Sequence, residues 1–147
     1  MVWRRSKGSE ARFSAWRKAR DASRRGTSAV ELAVCRPVLV LVIIGSLECC
    51  GMIFLNQSLH IAAYEGTRVA IHSDATNQEV IDRANDILAA RDVESAAIAF
   101  NPPDVSAVLS GQTVTITLSA PCDDNSILTP WFFQGRTLFG QTTMVKE

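Results

Sequence analysis

The sequence has few cysteines, and no spacing between them points to a shared function. Four cysteines in 147 residues are too sparse for the disulfide framework of a small secreted scaffold. Cys35, Cys49 and Cys50 lie in a hydrophobic stretch, and Cys122 alone lies in the polar region. No paired C-x-x-C spacing occurs, so we expect no zinc site and no disulfide bond within the polar region.

The sequence also lacks the motifs of the common enzyme classes. It contains no G-x-S-x-G turn, no glycine-rich phosphate loop and no paired catalytic carboxylates. His60 and His72 are twelve positions apart and have no H-E-x-x-H context. We therefore predict that the protein is not an enzyme, binds no metal or other cofactor, and has no small-molecule substrate.

The net charge is zero, but the charge is divided sharply along the chain. Residues 1–26 hold nine basic side chains and two acidic ones, a charge of +7, and the remainder holds six basic and thirteen acidic ones, a charge of −7. A basic arm could bind nucleic acid or anionic lipid, or could fix membrane topology as a cytoplasmic flank. Because a hydrophobic run follows directly, we favour the topology signal, with membrane lipid and not nucleic acid as its partner.

The hydrophobic run covers Leu32–Leu55 and carries two charges in 24 residues, Arg36 and Glu48. A helix of this length would reach about 36 Å, enough for a bilayer core of about 30 Å. Its uninterrupted apolar part, Pro37–Leu47, is also short enough for the hydrophobic region of a signal peptide. Both interpretations remain open on length alone.

Beyond the run, helical periodicity continues through residues 56–71, with a stripe of mostly small side chains at Leu59, Ala62, Gly66 and Val69. Thr76 and Glu79 then form a predicted capping box at the start of a second helix, which ends near Arg91. Its expected buried side is Val80, Ile81, Ala84, Ile87 and Leu88.

The polar end of the sequence predicts β-strands. Alternating patterns predict a hairpin of residues 105–109 and 112–119 around Ser110-Gly111, and a further strand over residues 138–145. We expect the aromatic run Trp131-Phe132-Phe133 to pack in the core.

The junction between the basic arm and the hydrophobic run reads Arg24-Arg25-Gly26-Thr27-Ser28-Ala29-Val30-Glu31. A basic pair, a glycine and a glutamate five residues later, at the start of an apolar helix, resemble the processing site of type IV prepilins and pseudopilins. The resemblance implies leader recognition through Arg24 and Arg25, and cleavage between Gly26 and Thr27 by a membrane prepilin peptidase. It also implies that Glu31 serves in assembly by meeting the α-amino group of a neighbouring subunit. The alternative is that Glu31 only complements the helix dipole.

A longer stretch is similar to the TadE-like family of minor pilins or pseudopilins from tight-adherence (Flp-type) pilus systems. The resemblance covers about 120 of the 147 residues, and residues 73–104 contribute nothing to it. Arg36 before the helix proline and the pair Cys49-Cys50 depart from the usual family pattern. The matching landmarks are Arg25-Gly26, Ala29-Val30-Glu31, Pro37, Glu48, Gly51, Ala62-Ala63, Glu65-Gly66-x-Arg68-x-Ala70, VTITLSAPC, Leu128-Thr129-Pro130 and the closing TMVKE.

The two charges in the hydrophobic run cannot pair within one helix, because twelve residues separate them by about 18 Å along the axis and about 120° around it. Arg36 lies near the cytoplasmic end, so its side chain is expected to snorkel to the interface. An acid within a membrane helix is a functional candidate by default. We therefore predict a subunit contact, and so an assembly role, for Glu48.

The resulting prediction is an α+β protein with a long N-terminal, pilin-like transmembrane helix and a small extracytoplasmic head of one helix plus a few antiparallel strands. Residues 1–26 are the leader removed on maturation, residues 27–72 the helix with its span at about 32–55, and residues 73–147 the head. The resemblance implies a structural subunit of a surface-adhesion pilus, with the prepilin peptidase, other pilin or pseudopilin subunits and the pilus assembly platform as partners.

The expected location is the cytoplasmic (inner) membrane in a single pass, with the N-terminus cytoplasmic, or the cell surface once the subunit is in a pilus. Cys122 is then the one thiol expected to react with a membrane-impermeant reagent, unless the head buries it. Two rivals stay open. One is a secreted binding or hydrolytic domain whose signal peptide is cut near Gly51, and the other is an uncleaved single-pass membrane subunit of another complex.

Overall fold

The computed structural model describes residues 7–147, and it describes side chains from Thr27 onward. The described residues up to Ile44 form one unit and Gly45–Glu147 form a second. The predicted α+β class, with a long N-terminal helix followed by one helix and antiparallel strands, is confirmed. The elements are α1 (Lys7–Ala70), α2 (Asn77–Ala89), β1 (Ala97–Asn101), β2 (Thr113–Pro121) and β3 (Thr137–Val145).

The first unit presents an apolar helical surface. Between Thr27 and Ile43 every described side chain of α1 is exposed, and apart from Glu31 and Arg36 the large ones are aliphatic, such as Val34 and Leu39. A helix that is apolar all round is stable in an apolar environment or when buried by other protein. Among the described residues, Thr27–Ala70 is the one helical segment long and apolar enough to cross a membrane.

In the second unit, one face of α1 becomes buried from Glu48 onward. The buried positions recur every three or four residues, partly as adjacent pairs such as Ala62 and Ala63, as a single helix face requires. Leu59, Ala62 and Gly66 of the predicted stripe are buried and Val69 is half-buried, so that prediction is confirmed. The other buried positions on this face include Met52, Leu55, Ala63, Thr67 and Ala70.

Helix α2 begins at the predicted capping box. Thr76 Oγ1 accepts a hydrogen bond from the Glu79 backbone N–H at 3.4 Å, and Glu79 Oε2 accepts one from the Thr76 N–H at 3.0 Å. These bonds from Thr76 hold the pKa of Glu79 below its usual value. A lowered folded-state pKa stabilises the fold above the unfolded-state pKa, and this stabilisation is lost as the pH falls through the folded value. Arg83 of α2 forms an ion pair with Glu65 of α1, with Nη2 2.9 Å from Oε2.

The strands form one antiparallel sheet in the order β1-β2-β3. Every second residue of β2 is fully buried and joins the same core as the inner faces of α1 and α2, as the period of two requires. The predicted strands at 112–119 and 138–145 correspond to β2 and β3. The buried residues of β2 are Val114, Ile116, Leu118 and Ala120.

The predicted strand at residues 105–109 is wrong, because the partner of β2 is β1, from Ala97 to Asn101. Residues 105–112 instead form turns. Asp104 accepts hydrogen bonds from both the N–H and the hydroxyl of Ser106, and the Val108 N–H bonds to the Val105 carbonyl at 3.3 Å. Val105 and Val108 are both buried although they are three positions apart, which a turn allows and an alternating strand does not.

Strand β3 lies directly against the backbone of α1. A Cβ atom at Gly140 would lie 2.5 Å from the Leu59 carbonyl carbon and 2.6 Å from the His60 nitrogen. Further along, the Glu147 N–H donates to the Ile71 carbonyl at 3.1 Å. The chain therefore follows α1 from the level of Leu59 to that of Ile71, and the close approach requires glycine at position 140.

Candidate functional site

The Glu48 carboxylate is the acceptor of an unusual cluster of backbone hydrogen bonds. Its Oε1 atom accepts bonds from three consecutive N–H groups, those of Trp131 at 2.9 Å, Phe132 at 2.8 Å and Phe133 at 2.9 Å. The residue is only 8 % exposed. Consecutive N–H groups that converge on one anion form a nest, which compensates a buried negative charge through backbone dipoles.

The three donors belong to the loop between β2 and β3, residues 122–136, which we call the aromatic loop. A hydrogen bond joins the two ends of the loop, in which the Cys122 N–H donates to the Arg136 carbonyl at 2.8 Å. The Asp123 carboxylate also accepts the Gly135 N–H at 3.0 Å. Gly135 has a φ of +69°, a left-handed conformation that favours glycine.

A second set of bonds holds the aromatic loop to the segment between α2 and β1. The Asn125 side chain donates to the carbonyls of Pro121 at 2.8 Å and Glu94 at 3.0 Å, and it accepts the Glu94 N–H at 2.8 Å. One amide side chain thus satisfies three backbone groups. The loop is fixed by these bonds, so the N–H groups that reach Glu48 come from a pre-organised backbone.

The prediction that the aromatic run packs in the core is wrong for two of its three residues. Trp131 is 64 % exposed and Phe132 57 % exposed, while Phe133 is half-buried. The Trp131 and Phe132 rings contact each other, with centroids 5.7 Å apart. The physical reason is that the loop turns its backbone N–H groups, and not its side chains, toward α1.

The structure gives Glu48 a partner within its own chain. The subunit contact inferred from the sequence stays a prediction, but the carboxylate is already satisfied by the aromatic loop. No sequence signal could have shown this, since the donors are backbone groups common to all non-proline residues. What the sequence does show is an acid in an apolar run, which needs a partner of some kind.

The residues of the predicted processing site lie in the first unit together with Glu31, whereas Glu48, the other predicted assembly residue, lies in the second. Thr27, Glu31 and Arg36 are exposed on α1. Arg24, Arg25 and Gly26 lie outside the residues whose side chains are described. Exposure of Glu31 leaves its carboxylate accessible to a partner from another chain.

The four thiols differ in exposure in a way the sequence did not indicate. Cys122 is buried, and burial followed by the charge of Asp123 raises the pKa of its thiol, against a smaller lowering by Arg136. Cys49 and Cys50 are exposed on α1. Cys122 is therefore closed to an aqueous thiol reagent while the head is folded, as our sequence-based exception for a buried thiol allowed.

A cleft of about 740 Å³ lies between α1 and the turn that follows α2. Arg91 contributes to its wall, with Nη1 3.4 Å from Ser58 Oγ and its guanidinium carbon 5.8 Å from the Phe54 ring centroid. The cleft is lined by apolar side chains together with Cys50, Arg91, Asp92 and Asn125, and histidine is absent from the lining. Among the described residues, no three histidine, cysteine or acidic side chains are grouped so as to hold a metal ion.

Part of the chain is similar to a known protein family. The model of the TadE-like protein family matches residues 26–68, from the predicted cleavage glycine to Arg68 near the end of α1. No curated protein and no solved structure matches the chain. The family consists of structural pilus components and is not known for enzymes. Residues 26–68, which carry Glu31, Glu48 and most of the face of α1 that packs in the head, are therefore similar to the TadE-like family.

Proposed function

We propose that the protein is a minor pilin or pseudopilin that serves as a structural subunit in the assembly of a tight-adherence (Flp-type) pilus used in surface adhesion. The observation that carries this proposal is the family match, which begins at Gly26 and includes a glutamate five residues later on an exposed apolar helix. In such a subunit the helix packs against neighbouring helices, and the head makes contacts outside the membrane.

Maturation would remove residues 1–26 by cleavage between Gly26 and Thr27. Thr27 is exposed, and Arg24 and Arg25 would be read by the prepilin peptidase as the basic end of the leader. Cleavage removes the +7 segment and creates a new α-amino group at Thr27. That group and the Glu31 carboxylate provide opposite charges near the membrane surface for pairing between subunits.

We expect Gly26→Val to block processing, because a branched side chain at the scissile position obstructs close approach of a protease to the backbone. The measurement is the intact mass of membrane-extracted protein from cells with and without a prepilin peptidase. The variant should retain residues 1–26 in both. Gly51→Val is the matched control, since a Cβ at Gly51 meets nothing within 4 Å. A Gly26→Val protein that is still trimmed to start at Thr27 would contradict the proposed cleavage.

The proposed topology places the leader in the cytoplasm and residues 56–147 outside the inner membrane. The support is the charge division, with nine basic residues before residue 27 and thirteen acidic ones after it. The partners in this location are other pilin or pseudopilin subunits and the pilus assembly platform.

We expect Glu31→Leu to impair assembly without impairing membrane insertion. A charge costs about 2.5–3.5 kcal/mol at the centre of a membrane helix and less near its end, where Glu31 lies, so its removal should preserve or strengthen membrane association. Co-purification with partner subunits and the number of pili per cell should fall, because the carboxylate that pairs between subunits is gone. Glu31→Asp keeps the charge and should retain more assembly than Glu31→Leu. Normal piliation of cells that carry Glu31→Leu would mean that Glu31 only complements the helix dipole and has no role in assembly.

The contacts of Glu48 speak against the rival in which a signal peptidase cuts near Gly51. That cut would remove Glu48 and leave three N–H groups of the aromatic loop without their acceptor. The other alternative, an uncleaved membrane subunit, would retain residues 1–26 in the mature protein. The intact mass of the parent protein, compared with that of Gly26→Val, therefore distinguishes it from the proposal.

A further inference from the structure

The exposed apolar side chains of the aromatic loop are gathered beside one short segment of α1. Ile127 is 83 % and Leu128 46 % exposed, and both line a narrow cleft together with Leu47 and Met52 of α1. Trp131 and Phe132 adjoin them along the loop, and a Cβ at Gly45 would lie 3.6 Å from the Phe132 ring. We call the side chains of Ile127, Leu128, Trp131 and Phe132 the apolar tip.

The apolar tip lies at one end of the second unit. Its backbone is bound at Glu48, whereas β3 leads away from it past Leu59 to the level of Ile71. The opposite end holds the turn before β2, where the Gly111 N–H donates to the Lys146 carbonyl at 2.9 Å. Leu109 in that turn is 69 % exposed. The apolar tip therefore lies at the end of the second unit where α1 enters it, beside Gly45, Leu47 and Glu48.

Large contiguous apolar surfaces on a folded protein mark contact with another protein or with lipid. Here the apolar tip continues the apolar surface of α1, where Leu47 is half-exposed immediately before Glu48. Residues 27–47 would reach about 32 Å as a helix, which matches a bilayer core of about 30 Å. On this length, Glu48 and the loop bound to it lie at the edge of the hydrocarbon. Arg36 then lies about 14 Å along the helix from Thr27, so its long side chain must extend toward the cytoplasmic side to reach the interface.

We infer that the aromatic loop is a second membrane contact of the protein, with its apolar tip seated in lipid at the boundary between head groups and acyl chains. The inference rests on the proposed single-pass anchoring by α1. It places the head-side end of the span near Leu47, rather than at Leu55 as the hydropathy pattern predicts. Tryptophan prefers this boundary because its ring is apolar and its indole N–H finds polar partners there.

This placement also explains why three backbone N–H groups surround the Glu48 carboxylate. A carboxylate at the edge of the hydrocarbon loses water on one side, and its three backbone donors replace the lost hydration. The same three bonds attach the apolar tip to α1 at a fixed height.

The position of Trp131 in lipid can be measured with its own fluorescence. The chain has three tryptophans, Trp3, Trp16 and Trp131, so the full chain with Trp3→Phe and Trp16→Phe reports on Trp131 alone. The protein is reconstituted into phosphatidylcholine vesicles brominated either near the glycerol end of the acyl chain or near its tip. The matched control carries Trp131→Phe and Leu109→Trp in the same background, since Leu109 is similarly exposed at the far end of the head.

Trp131 should be quenched by the shallow bromines at least about twofold more than the Leu109→Trp control, with blue-shifted emission and weaker quenching by the deep bromines. Quenching equal to that of the control would overturn the inference. Blue-shifted emission without bromine quenching, growing with protein concentration, would also overturn it and assign the apolar tip to a second protein copy. Flotation with the vesicles separates the two proposals: protein that fails to float contradicts the anchoring, whereas floating protein with unquenched Trp131 contradicts only the loop contact.

Discussion

Gly140→Ala is expected to destabilise the head strongly for the addition of a single methyl group. The added Cβ would lie 2.5 Å from the Leu59 carbonyl carbon and 2.6 Å from the His60 nitrogen. Both atoms belong to helix backbone and cannot rotate away, so β3 would have to move off α1 and open the core. Overpacking costs typically about 1–3 kcal/mol, and we expect the upper part of that range. The measurement is the thermal unfolding midpoint of the full chain in detergent, followed by circular dichroism.

Gly66→Ala is the matched control for this prediction. A Cβ at Gly66 would meet Val80 Cγ1 at 3.5 Å and Ala84 Cβ at 3.7 Å, which are ordinary contact distances. Because alanine is favoured over glycine within a helix by up to about 1 kcal/mol, this variant should be neutral or more stable. If Gly140→Ala unfolds at the same temperature as Gly66→Ala, the close contact between β3 and α1 is wrong.

Glu48→Ala is expected to release the backbone of the aromatic loop. The substitution removes the acceptor of the Trp131, Phe132 and Phe133 N–H groups, and a hydrogen bond to a charged group contributes about 1.5–3 kcal/mol. Hydrogen exchange at these three amides should accelerate by about tenfold or more. The measurement is residue-resolved hydrogen exchange of the full chain in detergent at a concentration where it is monomeric.

Two further variants sharpen this experiment. Glu48→Gln keeps a carbonyl oxygen at the same place, so exchange should lie between the parent and Glu48→Ala. Glu65→Ala removes the 2.9 Å ion pair with Arg83 elsewhere on α1 and should leave the loop amides unchanged. Unaltered exchange in monomeric Glu48→Ala would mean that the carboxylate serves a neighbouring subunit and not its own loop.

Local patterns in the sequence predicted the elements whose cause is local. The apolar run and the small-residue stripe predict α1, because helix periodicity depends on neighbours three and four positions apart. Thr76 and Glu79 start α2 through bonds that span three residues. The family resemblance is drawn over about 120 residues, and the family model matches the contiguous segment of it from residue 26 to residue 68.

The tertiary structure decided the features whose partners are distant in sequence. Residues 97–101 form strand β1 because they pair with β2 in the sheet. Val105 and Val108 lie in a turn and their side chains are buried there. Cys122 is buried because the head closes over it, which its own neighbours do not show.

The clearest difference concerns Glu48 and the aromatic loop. The sequence by itself established that an acid stands in an apolar helix and that three aromatic residues occur together near the C-terminus. Only the folded chain brings them within hydrogen-bond distance across more than 80 positions, with Phe132 N–H 2.8 Å from Oε1. Because the donors are backbone N–H groups, which every residue except proline carries, their role follows from where the chain is placed and not from which side chains it bears.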